Sequence, residues 1–148
     1  MGGGDGSGFE VRILGPLQVI HESREISLGG PKERALLVRL AVEAGRVVST
    51  DRLIEDLWDG SPPERALDTL RVYVSHLRKA LPGRCIETKT HGYVLTVDDI
   101  DVSRFAALVS RARAEGADLA ARTLRDALAL WRGPPLADVA DQAWARGR

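Results

Sequence analysis

"TLRVYVSHLRKALPGRCIETKTHGYVLTV", residues 69–97, reads as an amphipathic helix followed by a hairpin. Apolar residues recur at spacings of three and four from just before this stretch, which predicts one helix from about Glu64 to Leu81 with a buried face. That face comprises Leu67, Leu70, Val74, Leu77 and Leu81. Pro82-Gly83 stops the helix, and the following residues predict two strands with Thr90-His91-Gly92 near their turn.

The outward face of this helix mixes hydrogen-bond donors, short hydroxyls and one valine. It carries Arg65, Asp68, Thr69, Val72, Ser75, His76 and Lys79, with Arg71 and Arg78 at its flanks. The whole chain has 21 basic and 21 acidic residues, yet residues 64–97 hold six Lys or Arg against three acids. Such a face suits the base edges and thymine methyl groups of a major groove, and Lys89 and His91 would project from the hairpin tip.

Two further helices precede this one. "PKERALLVRLAVEAG" has a buried stripe that ends at a Gly45 cap, and "TDRLIEDLW" has a second stripe with Ser49 or Thr50 as its N-cap. The first stripe is Leu36, Leu37, Leu40, Ala41 and Ala44, and the second is Leu53, Ile54, Leu57 and Trp58. Before them, "FEVRILG", "PLQVIHES" and "REISL" predict a small antiparallel sheet with a turn at Ser23-Arg24. Three helices and a hairpin predict an α+β winged helix-turn-helix.

From Asp101 the pattern changes to two amphipathic helices joined near Gly116. Their stripes are Phe105, Leu108, Val109 and Ala112, then Leu119, Ala120, Leu124, Ala127, Leu128 and Trp131. A helical hairpin of this tetratricopeptide-like kind cannot bury its faces alone, so we expect it to be part of a larger domain, with Trp144 lacking a partner. The predicted organisation is a flexible leader (1–8), a winged-helix domain (9–97) and a partial helical domain (98–148).

Composition excludes several other classes of protein. With 44% hydrophobic and 28% charged residues the chain is globular, and no apolar run approaches the roughly 20 residues of a membrane span. Cys85 is the sole cysteine, so no intrachain disulfide forms and a cytoplasmic location is expected. The three histidines and Cys85 lack the spacing of a metal site, and no glycine-rich phosphate loop occurs. We therefore expect no catalytic residue, metal or cofactor, and we expect Asp98, Asp99 and Asp101 to cap the next helix.

Several of these segments carry a family resemblance. "LGGPKERALLVRLAVEAGRVVSTDRLIEDLW", "ALDTLRVYVSHLRKAL" and "IETKTHGYVLTV" together resemble an OmpR/PhoB-type winged-helix domain. "ALALWRGPPLADV" resembles the bacterial transcriptional activation domain that follows it in the Streptomyces antibiotic regulatory proteins. The resemblance implies a transcriptional activator of secondary-metabolite gene clusters. It also implies head-to-tail dimers on direct repeats in promoter DNA, with RNA polymerase and its sigma factor as partners.

The resemblance also implies roles for ten residues of this chain. The groove-reading positions are Thr69, Arg71, Val72, Ser75 and His76, the phosphate contacts are Trp58, Arg78, Lys79 and Tyr93, and the wing contact is Lys89. Position 76 is commonly arginine in the family, and histidine cannot grip guanine with two parallel hydrogen bonds. The base preference of the family therefore does not carry over to His76.

A second class of function fits the same fold. Winged helices and helical hairpins also dock to proteins, so the chain could be a protein-interaction module. A docking version should expose a contiguous apolar patch on the third helix, whereas the predicted outward face has only Val72 among polar residues. This feature favours DNA over protein as the partner of that helix.

Overall fold

The computed structural model describes residues 9–97 and 99–146, which form seven strands and five α-helices. The strands are β1 (Phe9–Arg12), β2 (Gln18–His21), β3 (Arg24–Glu25), β4 (Val48–Ser49), β5 (Ile86–Lys89), β6 (Gly92–Leu95) and β7 (Asp99–Ile100). The helices are α1 (Pro31–Val42), α2 (Thr50–Trp58), α3 (Ala66–Ala80), α4 (Asp101–Arg113) and α5 (Ala117–Leu128). Single 3-10 turns follow at Ala137–Val139 and Ala143–Ala145. The predicted α+β winged helix with a helical hairpin behind it is confirmed.

The N-terminal sheet has the strand order β3-β2-β1-β7. β1 and β2 pair antiparallel, as the sequence predicts, with Phe9 opposite His21. The hairpin between β2 and β3 turns at Glu22 and Ser23, whose φ angles are 52° and 67°. Two consecutive positive φ angles make a two-residue turn that matches strand twist, so the turn lies one residue earlier than the sequence predicts. β7 joins β1 in parallel, a pairing that the local sequence does not reveal.

The core lies between this sheet and α1, α2 and α3. Its largest side chains, each under 2% exposed, include Leu36, Leu37, Leu40, Leu53, Leu57, Leu70 and Leu77. The predicted stripe of α3 is buried except at Leu67, which is 41% exposed. The prediction for Leu67 is wrong because Ala66, at 8% exposure, occupies the core position in the first turn. Leu67 lies 100° further round the helix, at the edge of the stripe.

A second sheet, ordered β4-β6-β5, forms the wing and attaches it to α2. The backbone N and the hydroxyl of Thr50 both donate to the carbonyl oxygen of His91, at 2.8 and 2.9 Å. A Cβ atom at Gly92 would lie 2.2 Å from the carbonyl oxygen of Val48, so only glycine permits this close strand approach. Of the two predicted N-caps of α2, Ser49 is the one that caps the helix, by accepting from the backbone N of Arg52 at 3.1 Å.

One ion pair lies inside the three-helix core. Nε of Arg39 on α1 donates to Oδ2 of Asp56 on α2 at 2.7 Å, and the two side chains are 6% and 8% exposed. The ring of Trp144 covers the guanidinium, with the ring centre 5.1 Å from Cζ of Arg39. Trp144 therefore has a partner, contrary to the expectation from the sequence, because the chain after α5 returns to α1 of the winged helix.

α4 and α5 pack against each other as the predicted helical hairpin. Phe105 of α4 meets Trp131 edge to face, with ring centres 5.4 Å apart and planes at 80°. Only part of the predicted α5 stripe is buried, however. Ala127 is 1% exposed, whereas Leu119, Leu124 and Leu128 are 50%, 42% and 64% exposed. The hairpin thus presents an apolar surface on α5, as expected of a repeat that cannot bury its own faces.

The hairpin and the chain that follows it are fastened to the N-terminal sheet by buried polar contacts. Asp101 is 1% exposed and accepts hydrogen bonds from the backbone N of Ile13 and of Leu14, each at 2.9 Å. The N-cap of α4 is Ile100, with no side-chain cap, so the prediction that Asp101 caps this helix is wrong. Its carboxylate instead satisfies the two amides where the chain leaves β1. Asp98 lies outside the described residues.

The segment after α5 adds a second set of contacts. Asp138 accepts from the backbone N of Leu17 at 2.6 Å and pairs with the guanidinium of Arg34 at 2.9 Å. Val139, fully buried, and Ala145 at 8% exposure join the same core cluster as α1. The helical hairpin is therefore held against the winged helix at both of its ends.

Candidate nucleic-acid interface

The five predicted groove-reading residues share the outward face of α3. The side chain of Arg71 is 63% exposed and that of His76 is 54% exposed. Val72 is 48% exposed, Ser75 is exposed and Thr69 is half-buried. The exposure follows from helical periodicity, because Leu70, Val74 and Leu77 turn the opposite face to the core. α3 thus presents two basic or imidazole groups, two hydroxyls and one apolar side chain together.

The predicted phosphate contacts Arg78 and Tyr93 lie at the junction of α3 and the wing. Nε of Arg78 donates to the carbonyl oxygen of Ile86 at 3.1 Å, and a terminal nitrogen donates to the hydroxyl of Thr88 at 2.7 Å. Its guanidinium lies 5.9 Å from the ring centre of Tyr93, which is only 8% exposed. Arg78 therefore fixes the angle between α3 and the wing while its remaining N–H groups stay available to a ligand.

The other predicted contacts surround this junction. Lys79 is exposed on α3, and Lys89 at the wing tip is 48% exposed and lies 3.2 Å from Glu87. Trp58 is half-buried at the end of α2 and stacks on Tyr73 of α3, with ring centres 6.2 Å apart. An exposed ion pair such as Lys89 with Glu87 contributes little stability, so Lys89 can exchange this partner at low cost.

Two residues of this region were not predicted from the sequence, and both belong to α1. Glu33 pairs through Oε2 with Nδ1 of His76, and Lys32 lies with Nζ 5.8 Å from the ring centre of Trp58. Glu33 also accepts from the backbone N of Gly30 at 2.8 Å. A glutamate three residues after the N-cap position is a capping signal that could have identified Glu33 as an ordered side chain. Its contact with α3 depends on tertiary packing alone.

Across residues 9–97 and 99–146, no group of three His, Cys, Asp or Glu side chains could hold a metal ion. No helix in the same ranges is long and apolar enough to cross a bilayer. Cys85 is 5% exposed, and burial raises the pKa of its thiol, with a partial opposing effect from the charge of Arg78.

The state of Cys85 is testable by alkylation. We expect iodoacetamide at pH 8 to modify the folded protein far more slowly than the urea-unfolded chain. The thiolate fraction falls roughly tenfold for each unit by which the pKa is raised, and burial also blocks access. The measurement is the rate of mass increase with and without urea. Equal rates in the two states would contradict a buried, protonated thiol.

Two family models match successive parts of this chain. Residues 23–95 match the family model "Transcriptional regulatory protein, C terminal", and residues 100–148 match "Bacterial transcriptional activator domain". The transcriptional regulatory protein MoaR1 of Mycobacterium tuberculosis is 35% identical over 88% of this chain and 46% of its own length. The transcriptional regulator RedD of Streptomyces coelicolor is 32% identical over 96% of this chain and 44% of its own length.

A solved structure shows the same fold. Mycobacterium tuberculosis EmbR, in complex with a low-affinity phosphopeptide, superposes with a TM-score of 0.86 at 34% identity. The superposition covers 95% of this chain and 40% of EmbR. The chain thus spans less than half the length of each of these three relatives.

The two family models, in this order, define a class: transcriptional regulators with an OmpR/PhoB-type winged helix. The activator-domain match at residues 100–148 distinguishes one family within this class. The chain belongs to the Streptomyces antibiotic regulatory protein family.

Proposed function

We propose that this chain binds double-stranded DNA, with α3 in the major groove and the wing against the flanking phosphates or minor groove. The observation that carries the proposal is the outward face of α3, where Arg71, Ser75, His76 and Lys79 are all exposed. Arginine, serine and histidine can bond to base edges, and lysine neutralises phosphate charge. Arg78 holds the wing beside that face.

Family membership supports a finer proposal. The chain would act as a transcriptional activator of a secondary-metabolite gene cluster, in the cytoplasm, as a head-to-tail homodimer on direct repeats. Residues 9–97 would bind DNA, and residues 98–148 would form part of the unit that helps recruit RNA polymerase through its sigma factor. Trp58, Thr69, Val72, Lys89 and Tyr93 would complete the contact surface.

The experiment first selects, from a random pool, a tandem-repeat duplex that the protein binds. Binding of the wild type and of each variant to that duplex is then compared. We expect Lys79→Ala to weaken binding to all sequences alike and to reduce the salt slope of log K by about 0.9 for each bound protomer, because each protomer loses one phosphate contact. We expect Ser75→Ala and His76→Ala to change the preference among sequences, because base contacts carry sequence information and phosphate contacts do not.

The matched control is Arg113→Ala, which removes an exposed cation from the end of α4, outside the proposed surface. Its salt slope should equal that of the wild type. If Lys79→Ala, Ser75→Ala and His76→Ala all bind like the wild type, then α3 does not enter the groove and the proposal is wrong.

A second candidate function, docking to a protein partner, is favoured by one observation on another helix. Leu124 and Leu128 lie four residues apart and are both exposed on one side of α5, whereas α3 exposes Val72 and Leu67 on separate sides. Leu128→Ser would weaken a protein complex formed through α5 and leave duplex binding by α3 unchanged. Loss of duplex binding in this variant would indicate that the two surfaces act together.

A further inference from the structure

His76 differs from the other exposed residues of α3 because a residue of another helix holds its ring. Oε2 of Glu33 pairs with Nδ1 of His76, while Oε1 of Glu33 accepts from the backbone N of Gly30 at 2.8 Å. The Glu33 side chain is 13% exposed, and that of His76 is 54% exposed. The carboxylate is therefore fixed on both oxygens, and the opposite edge of the imidazole stays open.

The contact determines which nitrogen carries the proton. An ionised carboxylate has no hydrogen to donate, so Nδ1 must be the protonated nitrogen. In the neutral ring Nε2 then has no hydrogen and can only accept. Without Glu33 both tautomers of an exposed imidazole would be accessible, and the open edge would have no defined role.

We propose that Glu33 is a positioning residue for base selection: it fixes the tautomer and direction of His76 so that Nε2 accepts from a base amino group. In the major groove adenine and cytosine present amino groups, whereas guanine and thymine present carbonyl acceptors. The neutral ring of His76 thus selects adenine or cytosine at one position of the site. This inference rests on the proposed binding of α3 to DNA.

Glu33→Gln reverses the direction of the hydrogen bond to Nδ1 of His76 with little change in side-chain shape. The glutamine oxygen can still accept from Gly30, while its amide N–H₂ donates to Nδ1 of His76, which moves the ring proton to Nε2. We expect the preferred base at a single position to change from adenine or cytosine toward guanine or thymine, by about fivefold. The measurement is competition among duplexes that carry each base at each position.

Two further variants separate a positioning role from a general loss of structure. His76→Ala should abolish the preference at that position, and the double variant Glu33→Gln with His76→Ala should behave like His76→Ala alone. Glu22→Gln, in the exposed turn between β2 and β3, is the matched control and should keep the wild-type preference. An effect of Glu33→Gln that persists without His76 would overturn the proposal.

The tautomer itself can be measured without DNA. At a pH where the ring is neutral, imidazole nitrogen chemical shifts of His76 should show the proton on Nδ1 in the wild type and on Nε2 in Glu33→Gln. If the wild type binds duplex and Lys79→Ala weakens it, but Glu33→Gln changes neither tautomer nor preference, only this inference fails. If the wild type binds no duplex at all, the proposed function itself is wrong.

Discussion

Asp56→Ala is expected to lower the free energy of unfolding by about 3 kcal/mol, because the buried Arg39 loses its 2.7 Å partner and keeps the longer contact of Nη1 with Oε2 of Glu43, at 3.5 Å. The pair joins α1 to α2 at 2.7 Å with both side chains less than a tenth exposed. Urea unfolding followed by circular dichroism gives the free energy, with an unchanged m-value as the sign of a purely energetic effect.

The matched control is Glu55→Ala, which removes an exposed carboxylate from the same turn of α2 and should cost well under 1 kcal/mol. The double variant Arg39→Met with Asp56→Leu should be as stable as the wild type or more stable, because apolar replacement of both partners removes the desolvation cost. A single Asp56→Ala variant as stable as Glu55→Ala would contradict a buried, energetically coupled pair.

Asp101→Ala is expected to cost about 2–6 kcal/mol, from roughly 1–3 kcal/mol for each buried amide left without a partner. The two amides are those of Ile13 and Leu14, each 2.9 Å from a carboxylate oxygen. Because these contacts tie α4 to the N-terminal sheet, hydrogen exchange at the two amides should rise more than exchange within α3. Asp101→Asn should cost less, since one side-chain oxygen still accepts.

For Asp101 the control is Asp118→Ala, an exposed carboxylate in the first turn of α5. Its loss should cost about 0.3–1 kcal/mol through the helix dipole alone. Similar costs for the two substitutions would mean that the Asp101 hydrogen bonds add nothing to the docking of the helical hairpin.

Local patterns were sufficient to predict most of the winged helix. Leu70, Val74 and Leu77 recur with the helical period, and their burial turns Ser75 and His76 outward. Such a period can be recognised within one segment, because a helix with an apolar stripe is stable only when that stripe faces a core. At the edge of the stripe the pattern did not show whether Ala66 or Leu67 would be buried, and in the structure Ala66 is buried.

The candidate interface was predicted less completely than the fold. The helical period of α3 is enough to predict which of its residues are exposed. The hydrogen bonds of Arg78 to Ile86 and Thr88, in contrast, require the hairpin to fold back on the helix. The partnership of Glu33 with His76 spans 43 positions in sequence, so no local pattern could indicate it. Both contacts shape the surface that is proposed to bind DNA.

The sequence by itself determined the helices, the wing and the polar face of α3, because these depend on spacing along one segment. Only the tertiary structure decided which charges are buried or paired: Arg39 with Asp56, Asp101 with two backbone amides, and Glu33 with His76. The local sequence around a charged side chain does not show whether it will be buried or paired. Its contribution to the free energy of folding depends on the groups that surround it after folding. Those groups come from distant parts of the chain.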